Sequence, residues 1–145
     1  MNRLDVMRAR QFAIEKHNGQ MYGKLPYLYH LDMVHQLVSG AGLSEIHQVL
    51  AYLHDTIEDG VSDYAEISKE FGSEIGKYVS YIGRDRDNET YITYIERVKY
   101  YGGVIREVKV CDLLCNLEEC IKNPVGKNAS RIVRYQKALV LLGGS

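Results

Sequence analysis

The apolar residues of this 145-residue chain recur three and four positions apart between breaks at glycine and proline. That spacing places them on one face of an α-helix, whereas a half-buried strand would show strict alternation. Only two prolines occur, Pro26 and Pro124, and both fall in connections between the periodic segments. The segment "GGVIREVKV" is rich in β-branched residues, yet it continues smoothly into a helical period. The pattern therefore predicts an all-α fold.

The breaks predict helices at about 3–17, 27–39, 45–57, 62–71, 73–82, 91–101, 104–122 and 128–142. Ser44 is a suitable N-cap for the third helix, and the residues expected to face inward from the first include Met7 and Ala13. The segment "NGQMYGKLP" (18–26) is predicted to be a loop. With no internal repeat or linker, a chain of this length is expected to form a single domain, 1–145.

Composition and charge narrow the classes of function. The formal net charge is −1, so no overall basic field would hold a nucleic-acid polymer or an anionic membrane. A small anionic substrate needs only a few local cations and stays open. No apolar run approaches the ~18 residues of a membrane span, and the start, "MNRLDVMRAR", has no apolar signal region. Three cysteines without a disulfide framework fit a reducing cytoplasm. Nothing in the pattern indicates an oligomer.

Four ionisable groups are concentrated in the segment "YLHDTIEDG" (52–60), directly behind an apolar run. His54 and Glu58 are four residues apart, and so are Asp55 and Asp59. Residues at this spacing share one face of a helix, so the four groups are expected to crowd one patch.

Two more polar residues lie in apolar surroundings elsewhere. Asp112 and Asn116 are four residues apart in "VKVCDLLCNL", and His30 is early in a predicted helix. A buried carboxylate needs a partner. Imidazole and carboxylate groups from three helices, without a thiolate, suit a divalent ion such as Mn²⁺, Fe²⁺, Ni²⁺ or Zn²⁺. The alternative is a buried His–Asp hydrogen bond with capping acids at the helix end, and spacing alone does not separate the two.

These residues resemble the H…HD…D signature of the HD-domain phosphohydrolases, carried here by His30, His54, Asp55 and Asp112. The segment "HDTIEDG" resembles more narrowly the HD-x-x-ED element of the (p)ppGpp hydrolase branch. Six segments are similar to that branch in the same order, namely "FAIEKHNGQ", "PYLYH", "YLHDTIED", "FGSEIGKYV", "ETYITYIERV" and "VKVCDLLCNL". The resemblance implies a compact helical HD domain, which agrees with the all-α prediction.

The resemblance also implies a role for each matched residue. The implied metal ligands are His30, His54, Asp55 and Asp112. Mn²⁺ is the expected ion, with Fe²⁺, Ni²⁺, Zn²⁺ and Mg²⁺ as alternatives. Glu58 and Asp59 match the acidic pair credited with orienting or deprotonating the attacking water, and we expect Glu58 to be the general base.

Several residues are expected to hold the substrate. Asn116 matches a substrate-holding residue of that branch, and the candidate cations are Lys24, Arg84, Arg86 and Lys109. The loop before "PYLYH" carries Met21 and Tyr22 where the (p)ppGpp hydrolases carry an arginine. Lys24 is the only cation in that loop, and it would act as a point charge rather than a bidentate fork.

The expected function is metal-dependent hydrolysis of a small phosphorylated nucleotide, with a (p)ppGpp-type 3′-pyrophosphohydrolase as the specific option. Metal-activated water would attack phosphorus. One alternative is a nucleoside monophosphate phosphatase resembling a 5′-nucleotidase, and another is a domain that binds a nucleotide and signals without turnover. A degenerate binder would be expected to lose ligand or base residues. All four ligand positions and both acids are present, which favours an enzyme.

Overall fold

The apolar periods of the sequence fold as helices throughout the computed structural model, which describes residues 3–143. In chain order the elements are α1 Arg3–Lys16, β1 Met21–Tyr22, β2 Leu25–Pro26, α2 Leu28–Gly40, α3 Glu45–Leu53, α4 Tyr64–Phe71, α5 Ser73–Ile82, α6 Tyr91–Tyr101, α7 Gly103–Lys122 and α8 Lys127–Gly143. The predicted all-α class is confirmed, and most helix boundaries fall within two residues of the prediction.

The core forms where the apolar faces of α3, α5 and α7 meet. Leu50 and Leu53 of α3, Val79 of α5 and Val108 of α7 are all fully buried. The 20-residue helix α7 packs against α2, α3, α5, α6 and α8. Because α7 is surrounded in this way, a polar side chain such as Asp112 on its buried face must find its partners inside the protein.

Helix α3 ends at Leu53, four residues earlier than the predicted end at 57. Residues 54–60 instead form successive turns. The Thr56 hydroxyl donates to the Leu53 carbonyl at 2.7 Å, and Gly60 adopts φ +72°, a conformation that glycine reaches without strain. The Asp59 N–H still donates to the Asp55 carbonyl at 2.9 Å. The acidic segment therefore leaves the helix but keeps one helical turn.

The loop predicted over 18–26 contains a short hairpin, in which β1 pairs antiparallel with β2. Gly23 lies at its turn with φ +62°, which glycine permits. Two-residue strands carry no recognisable alternation, so the sequence pattern does not reveal them. The hairpin places Lys24 at the turn and brings the Tyr22 hydroxyl to Asn116 of α7, where it donates at 2.6 Å.

The buried stripe of α1 differs from the prediction. Met7, which was expected to face inward, is 60% exposed, whereas Ala13, which was also expected to face inward, is fully buried, as is Ala9. Small residues therefore form the contact face of α1, which packs closely against α3.

Within residues 3–143, no helix combines the length and the apolar character needed to cross a bilayer. Residues 1–2 and 144–145 of the predicted domain lie outside the described range, so the extent of the single domain over 1–145 stays a prediction.

Candidate active site

Four side chains of metal-ligand type converge inside the protein from three parts of the chain. His30 lies in the first turn of α2, His54 and Asp55 follow directly after α3, and Asp112 lies in the middle of α7. One ligand atom from each residue lies within 4.8 Å of the other three. The structure thus brings together the four residues that the sequence predicted as ligands.

The distances between these atoms suit a shared ion. Asp112 Oδ1 lies 2.8 Å from His30 Nε2 and 3.1 Å from His54 Nε2. Asp55 Oδ2 lies 3.1 Å from His54 Nε2 and 4.0 Å from His30 Nε2. Nitrogen and oxygen ligands bind first-row divalent ions at about 2.0–2.2 Å, so neighbouring ligand atoms around one ion are roughly 3 Å apart. These side chains need only small shifts to close around an ion.

The hydrogen bond on the far side of His54 supports the same interpretation. His54 Nδ1 lies 2.7 Å from the Ala51 carbonyl oxygen, which only accepts, so Nδ1 carries a proton and donates. In the neutral ring, Nε2 then presents a lone pair to two carboxylate oxygens. That arrangement is unfavourable unless a second proton or a metal ion lies there. A carbonyl that fixes the imidazole in this way is typical of metal-binding histidines.

Electrostatics make the centre attractive for a cation. Burial opposes ionisation of Asp112, but Lys109 and His54 outweigh it and hold the pKa of that carboxyl well below its usual range. Burial likewise opposes ionisation of Asp55, while His54 lowers the pKa of Asp55. Burial disfavours a charged His54, yet the two carboxylates raise the pKa of its imidazole well above the usual value. Two ionised carboxylates therefore face the centre.

A second layer of contacts orients the ligands. The Tyr27 hydroxyl donates to Asp55 Oδ2 at 2.5 Å, and Lys109 Nζ donates to Asp112 Oδ2 at 2.9 Å. Lys109, which the sequence suggested as a cation for the phosphoryl group, is buried and paired with Asp112, and it also lines the cavity described below. The role of Tyr27 was not predicted. Its position three residues before His30, on the same side of a helical turn, was the available signal.

The two predicted catalytic acids are both already hydrogen-bonded. Glu58 Oε1 accepts from the Arg84 backbone N–H at 2.8 Å, and Glu58 Oε2 accepts from Arg86 Nη2 at 2.7 Å. Asp59 Oδ2 accepts from Gln20 Nε2 at 2.9 Å. Burial and the nearby charge of Asp55 raise the pKa of Asp59. Both acids thus line the site in defined orientations.

The predicted substrate-binding residues divide between two adjoining cavities. A cavity of about 280 Å³ is lined by three of the candidate ligands, His30, Asp55 and Asp112, and by both acids, Arg84, Arg86 and Asn116. His54 is buried and does not line it. Lys24 does not line it, and lies instead in a cavity of about 550 Å³. Tyr22, Asn116, Arg134 and Tyr135 line both cavities, so the two adjoin there.

Helix α8 contributes residues that the sequence did not indicate. Arg134 and Tyr135 lie on α8 and line the junction of the two cavities. Their place depends on the packing of α8 against α6 and α7, and no local spacing in the sequence signals such a tertiary contact.

Comparison with known proteins identifies the relatives of this chain. No protein-family model matches it. Guanosine-3′,5′-bis(diphosphate) 3′-pyrophosphohydrolase MESH1 of Xenopus tropicalis is 30% identical over 139 residues, which cover 90% of this chain and 78% of that protein. The Danio rerio MESH1 is 28% identical over 139 residues, covering 90% of this chain and 77% of its own length.

A solved structure shares the fold. It is described as a metazoan ortholog of SpoT that hydrolyzes ppGpp, and it matches 99% of this chain and 88% of its own length with a TM-score of 0.86 at 23% identity. The architecture thus agrees with the sequence relationship, which covers most of both proteins. This chain belongs to the MESH1 family, a branch of the HD-domain phosphohydrolases.

Proposed function

We propose that this protein hydrolyses guanosine 3′,5′-bis(diphosphate), ppGpp, at its 3′ position and releases pyrophosphate. The observation that carries the proposal is the convergence of four ligand atoms within 4.8 Å of one another. Three of these residues line a cavity that is also lined by two further acids and three arginines. The choice of substrate is supported by the MESH1 relatives, which are named for this reaction.

The proposed metal ligands are His30, His54, Asp55 and Asp112, and the proposed ion is Mn²⁺. A divalent ion bound there supplies Lewis acidity, which polarises a phosphoryl oxygen and acidifies water. The Ala51 carbonyl and the Tyr27 hydroxyl hold His54 and Asp55 in their ligating orientations. Oriented ligands of this kind lower the cost of assembling the site.

The proposed roles of the acids follow from their position in the cavity. Glu58 takes the proton from the attacking water, and Asp59 orients that water. The water oxygen bonds to the phosphorus attached to the ribose 3′ oxygen, and the bond between that phosphorus and the 3′ oxygen breaks. The proton that Glu58 took from the water passes to the 3′ oxygen, which leaves as a hydroxyl. For this step Glu58 needs a free lone pair beside its bonds to the Arg84 N–H and to Arg86.

Arg84, Arg86 and Asn116 are proposed to hold the substrate, because all three line the cavity in which the candidate metal ligands converge. Lys24 is proposed to contact a more distant part of the nucleotide in the adjoining cavity. Positioning and charge stabilisation of this kind account for most of the catalysis of phosphoryl transfer. Three free cysteines are in keeping with a reducing cytoplasm as the place of reaction.

The experiment is a panel of nucleotides incubated with purified protein and Mn²⁺ and separated by chromatography. Conversion of ppGpp to GDP and pyrophosphate supports the proposal. Release of phosphate from nucleoside monophosphates alone would contradict the proposal and favour the alternative function of a nucleoside monophosphate phosphatase. Nucleotide binding without turnover would favour the alternative of a signalling domain. Metal analysis of the purified protein identifies the ion.

Matched variants test the residue roles. His54→Ala should abolish both turnover and metal binding, whereas His35→Ala should keep them, because His35 contacts Gln48 outside the cavity. Glu58→Gln should keep the metal and lose most turnover. Normal turnover in Glu58→Gln would reject Glu58 as the base.

A further inference from the structure

A buried hydroxyl in the cavity lacks a partner. Tyr91 begins α6, and its Oη atom is buried without a hydrogen-bond partner among the residues that the structure describes. Tyr91 lines the same cavity as the candidate ligands His30, Asp55 and Asp112. Burial raises the pKa of Tyr91, although Lys109 and Arg134 oppose the shift, so the phenol stays a donor. A buried unpaired polar atom in a native fold calls for a missing water, ion or ligand.

Two guanidinium groups pack on the ring of Tyr91. The Cζ atom of Arg134 lies 4.4 Å from the ring centroid, and that of Arg84 lies 5.5 Å from it. Neither arginine forms an ion pair with a carboxylate within residues 3–143. The Nε atom of Arg84 is also buried without a hydrogen-bond partner. Two buried donors without partners, Tyr91 Oη and Arg84 Nε, therefore lie beside two guanidinium groups that have no carboxylate within ion-pair distance among the described residues. Arg84 Nη2 donates to the Glu89 carbonyl oxygen at 3.1 Å, and Arg134 is exposed.

The charge of this group points to an anion. A water molecule could accept from Tyr91 Oη and Arg84 Nε, but it would bring no negative charge to the half-buried guanidinium group of Arg84. Phosphate oxygens accept several hydrogen bonds and neutralise guanidinium groups at the same time. The ring of Tyr91 holds the two side chains by cation–π contact, which keeps them in place before the ligand arrives.

Arg86 has a different partner, which separates the two parts of the cavity. Its Nη2 atom is paired with Glu58 Oε2 at 2.7 Å, so its charge is already compensated by a proposed catalytic acid. The phosphoryl group that reacts must lie against those acids and the four ligands. Tyr91, Arg84 and Arg134 are thus available for a second phosphoryl group.

We propose that Tyr91, with Arg84 and Arg134, binds the second phosphorylated position of the substrate, so that the enzyme selects a nucleotide phosphorylated at two sites. This inference rests on the proposed function, because it takes the 3′ group to react and the 5′-diphosphate to lie beside Tyr91. Tyr91 acts as a positioning residue in this arrangement. Its hydroxyl donates to a 5′ phosphate oxygen and contacts no reacting atom.

The test compares Tyr91→Phe with Tyr94→Phe. Phenylalanine at 91 keeps the ring that packs on the arginines and removes only the hydroxyl. Tyr94 lies on the same helix, but its hydroxyl donates to the Ile82 carbonyl. Tyr94→Phe therefore controls for loss of a tyrosine hydroxyl near the site, and it should lower thermal stability without altering nucleotide affinity.

Affinity is measured by calorimetry on metal-free protein in EDTA, with ppGpp and with GDP. GDP keeps the 5′-diphosphate and lacks the reacting group. Tyr91→Phe should weaken both nucleotides by about tenfold, the loss expected for one hydrogen bond to a charged oxygen. Arg134→Gln should weaken both by a similar factor. In the Mn²⁺-loaded enzyme, Tyr91→Phe should raise KM for ppGpp while kcat stays close to the wild-type value.

Each outcome decides a separate point. Weakening of ppGpp but not of GDP would place the hydroxyl at the reacting diphosphate and overturn the inference, as would unchanged affinity for both. Equal weakening of ppGpp and GDP by Tyr94→Phe would assign the effect to general disturbance of the site and also overturn it. If ppGpp is not hydrolysed but binds with the expected dependence on Tyr91, the proposed function fails while the binding site stands.

Discussion

The ion pair between Lys109 and Asp112 provides the sharpest test of how the buried charges of the centre compensate one another. Lys109 Nζ lies 2.9 Å from Asp112 Oδ2, and the exposed fractions of the two side chains are 11% and 4%. Removing one member of a buried pair leaves an uncompensated charge and costs roughly 3–5 kcal/mol. Asp112 keeps its contacts with His30 and His54. We therefore expect Lys109→Met to cost about 3 kcal/mol in metal-free protein.

The expected change in melting temperature follows from chain length. The entropy of unfolding is about 2.1 cal/mol/K per residue, or about 0.3 kcal/mol/K for 145 residues. A loss of about 3 kcal/mol should then lower the melting temperature in EDTA by about 10 °C. Lys122→Met is the matched control. Lys122 forms an ion pair at the same i,i+3 spacing on the same helix, with Glu119, but on the surface, where such pairs contribute little.

Binding of a divalent metal should restore part of the stability that Lys109→Met loses. Without Lys109, the two carboxylates of the centre carry their full negative charge toward the ion, so a divalent cation should bind more tightly. Each tenfold gain in affinity returns about 1.4 kcal/mol when the metal is in excess. The assay is thermal unfolding of wild type and both variants, with EDTA and with Mn²⁺. A Lys109→Met protein that melts like wild type in EDTA, or gains no more from Mn²⁺ than wild type does, would refute this account of the charge balance.

Three further predictions concern single contacts. Tyr27→Phe removes the donor to Asp55 Oδ2 and should weaken metal affinity about tenfold; unchanged affinity in a chelator competition would show that Asp55 needs no such support. Gly76→Ala places a Cβ atom 2.1 Å from Ser68 Oγ and should cost about 1–2 kcal/mol, part of which a second Ser68→Ala change should restore in urea unfolding. Hydrogen bonds from Arg97 lower the pKa of Glu89 below its usual 4.5, so the pair stabilises the fold at neutral pH and this contribution is lost as the pH falls from 4.5 through the lowered value. The free energy of unfolding should accordingly fall less over that range in Glu89→Gln, and equal losses would contradict this.

The helices were predictable because their apolar periods are long. α5 and α6 have the predicted bounds, 73–82 and 91–101. α7 begins one residue earlier than predicted, and α8 extends one residue further at each end. The end of α3 was not predictable, because the three- and four-residue spacing of the side chains continues past Leu53. Residues 54–60 form turns in which the Thr56 N–H and hydroxyl both donate to the Leu53 carbonyl. The hairpin before α2 was equally hidden, since four paired residues carry no period.

The four candidate metal ligands were predictable for a different reason. His30 and Asp112 are 82 residues apart, yet Nε2 and Oδ1 lie 2.8 Å from each other. Spacing alone left a metal centre and a His–Asp hydrogen bond as alternatives, and the resemblance to a known signature selected among them. The structure adds an argument that is independent of resemblance. Once the Ala51 carbonyl fixes the proton on His54 Nδ1, the lone pair of Nε2 faces two carboxylate oxygens. A second proton or a metal ion must then lie between them.

The sequence did not predict which charged side chains pair with each other. These pairings determine which cations are available to bind a substrate. Lys24, Lys109, Arg84 and Arg86 were equivalent as candidate cations for a phosphoryl group. In the folded protein Lys109 neutralises Asp112, and Arg86 is bound to Glu58. Lys24 faces an adjoining cavity, whereas Arg84 has no carboxylate partner within residues 3–143 and packs on Tyr91. These four side chains carry the same charge but have four different surroundings. Which of them can bind a phosphoryl group therefore depends on the tertiary fold rather than on residue type.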